Sequence, residues 1–115
     1  MKSVYRQMIA CFSLGMIAIG VSGAAAAESP VEVVITKMAF HPQSVTVKAG
    51  TKVVWKNGES GATFHSVVSD APGLFQSQDF FPDESWSFLF QQPGSYPYHC
   101  GPHANRMRGV VNVEP

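Results

Sequence analysis

The sequence predicts an all-β sandwich of about seven to eight short strands. From residue 31 onward, short β-branched or aromatic segments alternate with turn residues at intervals of about 8–12 residues. No segment in this part shows the apolar period of an amphipathic helix. The pattern is therefore typical of a sandwich of short strands rather than of a fold with helices.

Three strands are predicted in the first half of the domain. Val31–Thr36 is rich in β-branched residues, and Ser44–Lys48 alternates polar with apolar side chains. Lys52–Lys56 follows and stops at the Asn57-Gly58 pair, which is a strong turn signal.

Four more strands are predicted in the second half. Trp86, Phe88 and Phe90 are spaced two apart, which places three aromatic rings on one face of a strand. Residues 70–83 are the least regular part, and we expect either an extended loop or a short helical turn there. The predicted strands of this half are Phe64–Ser69, Ser85–Phe90, Ser95–Cys100 and Arg108–Glu114.

Residues 1–27 have the pattern of a secretory signal peptide, so the domain is expected to span residues 28–115. Lys2 and Arg6 give a positive start, Ile9–Val21 is an apolar run, and residues 24–27 are alanines suited to cleavage. Cleavage leaves about 88 residues, which suffice for one core. We expect export to the periplasm, without stable membrane insertion once the leader is removed.

Two other interpretations of the leader remain open. An uncleaved membrane anchor needs roughly 20 apolar residues, and the window from Met8 to Ala27 is long enough but includes serines and glycines. Ile9-Ala10-Cys11 resembles a lipidation site, although the apolar run follows Cys11 instead of preceding it. The serines and glycines disfavour an anchor, and the position of the apolar run disfavours lipidation, so the signal peptide remains the preferred interpretation.

The charge balance excludes one class of partner. Loss of the leader removes Lys2 and Arg6 and leaves a near-neutral to slightly acidic domain. No basic tract is present to neutralise phosphates, so we expect no nucleic-acid binding.

The cysteines point to a metal. Cys11 lies in the leader, so Cys100 has no partner for an internal disulfide and is a reactive thiol, an intermolecular partner or a metal ligand. The spacing Cys100-x₂-His103-x₃-Met107 brings a thiolate, an imidazole and a thioether into one loop, and His65 can add a second imidazole. A His₂Cys set with a weak axial Met is the blue-copper pattern, suited to both Cu(I) and Cu(II).

The other two histidines are not expected to bind this metal. His99 precedes Cys100 in a strand, so its side chain should point to the opposite face. His41 lies at a strand break before Pro42, far from the ligand loop, and a surface or capping role is expected.

Three stretches resemble a known family. Residues 38–57 (MAFHPQSVTVKAGTKVVWKN) are similar to its first-half signature, residues 93–100 (PGSYPYHC) to its Gly-x-Tyr-x-Tyr-x-Cys run, and residues 100–103 (CGPH) to its Cys-x-Pro-His motif. The chain thus resembles the small cupredoxins of the plastocyanin, amicyanin and pseudoazurin group, and the amicyanins most.

The resemblance implies a Greek-key, cupredoxin-like β-sandwich that holds one copper ion through His65, Cys100, His103 and Met107. It implies a type 1 blue copper protein that carries single electrons, and not an enzyme. The expected partners are redox proteins, such as a dehydrogenase or a cytochrome, that dock transiently near His103 on a monomer.

An apolar rim around His103 is expected to receive these partners. Phe64, Pro102 and Ala104 are candidates by sequence proximity, and Phe80 or Phe81 can join them.

The sequence departs from the resemblance in three places. Amicyanins have His-x₂-Met and plastocyanins and pseudoazurins have His-x₄-Met, whereas His103 and Met107 are separated by three residues. Ser66 stands where an Asn, whose side chain links the two ligand loops, usually follows the first His ligand. We expect the Ser66 backbone N–H to donate to the Cys100 sulfur. We expect the side-chain link between the loops to be lost. The segment from Trp55 to His65 is about two residues longer than in amicyanins.

Three other functions compete with electron transfer. A copper carrier or resistance protein is disfavoured because the mature chain has only Met38 and Met107 for an open Met-rich site. A nucleophilic enzyme is disfavoured because no acid that orients the histidine is identifiable. A structural zinc site suits Cys and His, but Met is a poor zinc ligand.

Overall fold

Alternation of apolar and polar residues sets the two faces of the strands. The computed structural model describes residues 28–115, so the predicted signal peptide and Cys11 lie outside the described residues. The described part contains eight strands and no helix, as the all-β prediction requires. The strands are β1 (Val31–Thr36), β2 (Ala39–His41), β3 (Ser44–Lys48), β4 (Thr51–Asn57), β5 (Val68–Ser69), β6 (Ser85–Phe90), β7 (Gly94–His99) and β8 (Arg108–Glu114).

The strands form two four-stranded mixed sheets. The first has the order β2-β1-β4-β6, and the second has the order β3-β8-β7-β5. The pairs β1/β4 and β3/β8 are parallel, and the remaining pairs are antiparallel. Because β7 and β8 pair side by side, the loop between them opens at one end of the sandwich.

The core lies between the sheets and is rich in aromatic side chains. Trp55 of β4 is fully buried, and its ring centroid lies 5.3 Å from that of Tyr98 on β7 in an edge-on contact. On its other side Trp55 lies 5.6 Å from Trp86, its cross-strand partner on β6. Strand β7, which leads directly into Cys100, is thereby packed firmly against the opposite sheet.

The predicted aromatic face of β6 is confirmed. Trp86, Phe88 and Phe90 lie along one face, and Phe75 from the preceding loop packs on Phe88 and Phe90 with centroid distances of 5.0 and 5.5 Å. Residues 70–84 form the extended loop that was one of the two expectations, with no helical turn in this described segment.

The predicted strand Phe64–Ser69 is wrong over most of its length. Only Val68–Ser69 is a strand, while His65 makes an isolated bridge to Phe80. The amide of Asn57, which is fully buried, donates to the carbonyls of Thr63 and Phe80 at 3.0 Å each. Isolated backbone hydrogen bonds, such as the two that His65 exchanges with Phe80, and these side-chain hydrogen bonds hold the segment in place of a continuous ladder. Within residues 28–115 no helix is long and apolar enough to span a membrane.

Candidate metal centre

The β7–β8 loop and the segment before β5 bring three nitrogen and sulfur donors together. Cys100 follows directly after β7, His103 lies in the loop, and His65 comes from the other segment. Cys100 Sγ lies 3.7 Å from His65 Nδ1 and 3.5 Å from His103 Nδ1. The donor atoms of the three residues all lie within 4.8 Å of one another. One ion can thus contact all three.

The loop that carries Cys100 and His103 is closed by its own backbone. The Cys100 N–H donates to the Met107 carbonyl at 3.0 Å, and the N–H groups of Arg106 and Met107 both donate to the His103 carbonyl. The Met107 side chain is fully buried, whereas His103 is only partly buried. The loop therefore exposes part of one imidazole and keeps the thioether inside.

Cys100 is fully buried, and burial raises the pKa of its thiol. Hydrogen bonds from the backbone N–H groups of Ser66 and His103 act in the opposite direction but do not outweigh burial. The Ser66 N–H lies 3.4 Å from the sulfur, as predicted. A metal at this site must displace the thiol proton, because only the thiolate is a strong ligand.

The side chain at position 66 still links the two segments that carry the ligands, although its loss as a link was expected. The Gly101 N–H donates to Ser66 Oγ at 3.0 Å, so the serine hydroxyl joins the segment of His65 to the loop of Cys100. A Cβ at Gly101 would lie 2.9 Å from Ser66 Oγ, and only glycine leaves room for this approach. The prediction failed because a hydroxyl can accept a backbone hydrogen bond as well as an amide side chain can.

Glu59 is a site residue that the sequence interpretation missed. Its Oε2 lies 2.9 Å from His65 Nε2, on the side of the ring opposite to Cys100. Burial acts to raise the pKa of Glu59, but the hydrogen bonds from the Met38 and Lys37 N–H groups and the contact with His65 together lower it below its usual value. The sequence interpretation considered an orienting acid only for the Cys100–His103 pair, whereas the carboxylate lies on His65. A carboxylate six residues before a candidate ligand was the available signal.

The other two histidines lie outside this cluster, as predicted. His99 Nδ1 lies 2.6 Å from Asp70 Oδ1, on the opposite face of β7. His41 is exposed, and its Nε2 lies 3.2 Å from the Thr36 carbonyl.

The rim near the histidines is partly apolar. Phe64 and Phe81 are exposed, and their ring centroids lie 5.4 Å apart. Pro102 is exposed and Ala104 is partly exposed. Phe80 is buried at 1% exposure and so does not belong to this surface.

The donor set fits a copper ion better than the alternatives. Two imidazoles and one thiolate converge, and the buried thioether of Met107 lies in the same loop. The soft sulfur donors favour Cu(I), and imidazole accepts both oxidation states.

The comparisons with known proteins identify the family. The family model described as "Cupredoxin-like domain" matches residues 9–113. The chain belongs to the cupredoxin-like family. An amicyanin of Paracoccus versutus is 36% identical over 97 residues, which cover 78% of this chain and 71% of that protein. A chloroplastic plastocyanin of Physcomitrium patens is 32% identical over 87 residues, covering 66% of this chain and 51% of that protein.

Solved structures support the same family. This cupredoxin aligns with a reduced Cu(I) form of an amicyanin variant at a TM-score of 0.67 and 34% identity, covering 79% of this chain and 88% of that one. The predicted cupredoxin-like sandwich is confirmed, and copper is confirmed as the metal of this relative. A purple cupredoxin from Nitrosopumilus maritimus, at 24% identity and a TM-score of 0.67, shares the fold.

Proposed function

We propose that this cupredoxin is a periplasmic type 1 copper protein that carries single electrons between redox partners. The observation that carries the proposal is the convergence of His65 Nδ1, Cys100 Sγ and His103 Nδ1 within 4.8 Å. A bound copper ion would supply one-electron chemistry by alternating between Cu(II) and Cu(I). The relatives described as amicyanin and plastocyanin support the assignment.

The four proposed ligands have different tasks. Cys100 provides the thiolate, and the Ser66 N–H steadies its sulfur. His65 provides an imidazole that is closed off from solvent. Met107, fully buried in the same loop, is the proposed weak axial donor that tunes the reduction potential.

The scaffold is expected to keep the ligand positions alike in both oxidation states. The loop is closed by the hydrogen bond between Cys100 and Met107, and Ser66 joins it to the segment of His65. Donors that are held in place move little when an electron arrives, so the reorganisation energy is low. This favours an electron carrier over a protein that must open to release its metal.

His103 is the proposed electron port, because its ring is partly exposed whereas His65 and Cys100 are buried. The rim formed by Phe64, Phe81, Pro102 and Ala104 offers a small apolar surface for brief docking of a dehydrogenase, a cytochrome or a similar protein. Transient interfaces of this kind are small.

A nucleophilic enzyme is disfavoured by the state of the thiol. Glu59, His65 and Cys100 form a line that superficially resembles a catalytic triad. Catalytic cysteines have a lowered pKa and partial exposure, whereas Cys100 is fully buried and its pKa is raised. We therefore propose a role in electron transfer without catalysis.

Repeated redox cycling separates an electron carrier from a copper carrier. The copper-loaded protein is reduced with ascorbate and reoxidised with ferricyanide ten or so times in the presence of a Cu(I) chelator. An electron carrier keeps its copper, and electron self-exchange between oxidised and reduced copies is measurable by NMR line broadening. Transfer of the metal to the chelator in the first reduced phase would contradict the proposal and favour a copper carrier.

Export is tested separately with the full chain. Expression in a Gram-negative host is expected to give a periplasmic product that mass spectrometry shows to lack residues 1–27. A product that keeps these residues in the membrane fraction would support the anchor interpretation instead.

A further inference from the structure

The Glu59 carboxylate lies at a junction between the β1–β2 turn and the buried ligand histidine. Its Oε2 accepts a hydrogen bond from the Met38 N–H at 2.9 Å, and its Oε1 accepts one from the Lys37 N–H at 3.2 Å. Oε2 also lies 2.9 Å from His65 Nε2. The side chain is only 13% exposed, so little water competes for these contacts.

The turn that receives Glu59 adopts an uncommon backbone conformation. Lys37 and Met38 have φ values of 53° and 60°, in the left-handed region that non-glycine residues seldom occupy. Such residues persist where surrounding contacts compensate for the strain. Here the successive N–H groups of Lys37 and Met38 both donate to one carboxylate, so the turn forms a binding site for the Glu59 side chain.

Hydrogen bonds and close packing at residues 57 and 58 bring Glu59 next to this turn. The Gly58 N–H donates to the Ile35 carbonyl at 2.8 Å, and a Cβ at Gly58 would lie 3.0–3.2 Å from atoms of Val34, Ile35 and Thr36. The Glu59 N–H then donates to Asn57 Oδ1 at 2.9 Å. Glycine at position 58 thus permits the loop to run close against β1 and bring Glu59 to the turn.

The contact with Glu59 selects one tautomer of His65. An ionised carboxylate only accepts hydrogen bonds, so the proton of the neutral ring must lie on Nε2. The lone pair is then on Nδ1, which is the atom that faces Cys100 Sγ at 3.7 Å. Carboxylates that hold the remote nitrogen of a ligand histidine in this way orient the ring and increase its basicity.

We propose that Glu59 is a positioning residue that holds His65 ready to bind the metal through Nδ1 and that lowers the reduction potential of the centre. The inference rests on the proposed function, because it assumes that His65 is a ligand. The negative charge beside the imidazole stabilises the oxidised ion more than the reduced one. The β1–β2 turn, which lies outside the ligand loops, thereby acts on the metal through Glu59.

The first test measures the tautomer of His65 in the metal-free protein. Nitrogen-15 shifts of the His65 ring at neutral pH are expected to show a protonated Nε2 and an unprotonated Nδ1. In Glu59→Gln, a mixture of the two tautomers is expected, because the neutral amide can donate to Nε2 as well as accept from it. A wild-type ring that carries its proton on Nδ1 would overturn the proposal.

The second test compares reduction potentials and copper affinity in the copper-loaded protein. Glu59→Gln is expected to raise the potential, and a tenfold loss of preference for the oxidised state equals about 59 mV for one electron. Copper affinity is expected to fall by about 10- to 100-fold. The matched control is Glu32→Gln, which removes the same charge from an exposed position on β1 and should change neither quantity measurably.

The outcomes separate this inference from the proposed function. If wild-type protein binds copper with the thiolate absorption band and Glu59→Gln keeps the same potential and affinity, the positioning role is refuted while the function stands. If wild-type protein fails to form that band, the function itself fails. Should Glu59→Gln be unfolded by circular dichroism, the tautomer measured in the wild-type protein still decides whether His65 is held as proposed.

Discussion

Gly101 and Ser66 join the two segments that carry the candidate ligands. The Gly101 N–H donates to Ser66 Oγ at 3.0 Å, while the Ser66 N–H points to Cys100 Sγ at 3.4 Å. One serine therefore connects to the ligand loop through both its side chain and its backbone. This pair of contacts helps to fix the placement of His65 relative to Cys100, together with the pairing of β5 with β7.

Replacing Ser66 with alanine is expected to destabilise the metal-free protein by about 0.5–1.5 kcal/mol. The substitution removes the acceptor of the part-buried Gly101 N–H, and an intramolecular hydrogen bond typically contributes about this much. Urea denaturation followed by circular dichroism measures the effect. Ser87→Ala, at an exposed position on β6, is the control and should lie within about 0.5 kcal/mol of wild type. Equal effects of the two substitutions would contradict the role of the tie.

Gly101→Ala tests the close approach itself. Its Cβ would meet Ser66 Oγ at 2.9 Å, so the substitution is expected to destabilise the protein on its own. In combination with Ser66→Ala, which removes that oxygen, the cost of Gly101→Ala should shrink. A double-mutant cycle of unfolding free energies measures the coupling, and strict additivity would show that the two residues act independently.

Met107 has a packing role that can be separated from its proposed axial role. Met107→Ala removes a fully buried side chain and is expected to cost the metal-free protein about 2–5 kcal/mol. Met107→Leu conserves volume and should cost less than about 1.5 kcal/mol. Loss of the thioether should nevertheless raise the reduction potential of the copper-loaded Leu variant, measured by voltammetry. An unchanged potential would show that Met107 is not an axial ligand.

The metal-free protein is expected to lose stability in alkaline solution. Burial raises the pKa of the Cys100 thiol and raises the pKa of Tyr98 to about 12, from usual values of 9.0 and 10.0. A folded state that keeps its protons longer than the unfolded state is stabilised fully below pH 9 and progressively less above it. The urea midpoint should therefore fall from about pH 9 upward, and less steeply in Tyr98→Phe. A urea midpoint that rises above pH 9 would contradict the raised pKa values of Cys100 and Tyr98.

The apolar rim is expected to control encounters between electron-transfer partners. Pro102→Glu places a charge beside His103 and should slow electron self-exchange between two copies, measured by NMR line broadening. Leu89→Glu is the matched control, because Leu89 is 46% exposed and pairs with Lys52 at the end of β4 away from the site. Equal rates in the wild type and both variants would place the docking surface elsewhere.

Residues with a local periodic signal were predicted correctly from the sequence. The aromatic face of β6, the orientation of His99 away from Cys100 and the proximity of Cys100 to His103 follow from strand alternation or from short spacing. The blue-copper donor set suggested His65 as the second imidazole, and the resemblance implied the same residue. The structure brings these three donors together, and their assignment as ligands stays a prediction.

The missed features depend on contacts between residues that are distant in sequence. Glu59 contacts backbone groups 21 and 22 residues away, and its position six residues before His65 does not by itself reveal these contacts. The Ser66 tie spans 35 residues. The predicted strand Phe64–Ser69 shortens to Val68–Ser69. His65 pairs only in an isolated bridge with Phe80, and the Asn57 amide donates to the Thr63 and Phe80 carbonyls; local β-propensity does not encode these contacts between distant residues.

The visible spectrum of the copper-loaded protein tests the central claim most directly. One equivalent of Cu(II) is expected to give an intense thiolate-to-copper charge-transfer band in wild-type protein. Cys100→Ser should abolish the band, while His99→Ala, outside the cluster, should retain it. A wild-type protein that stays colourless under oxidant, or a band that survives in Cys100→Ser, would contradict a copper centre built on Cys100, His65 and His103.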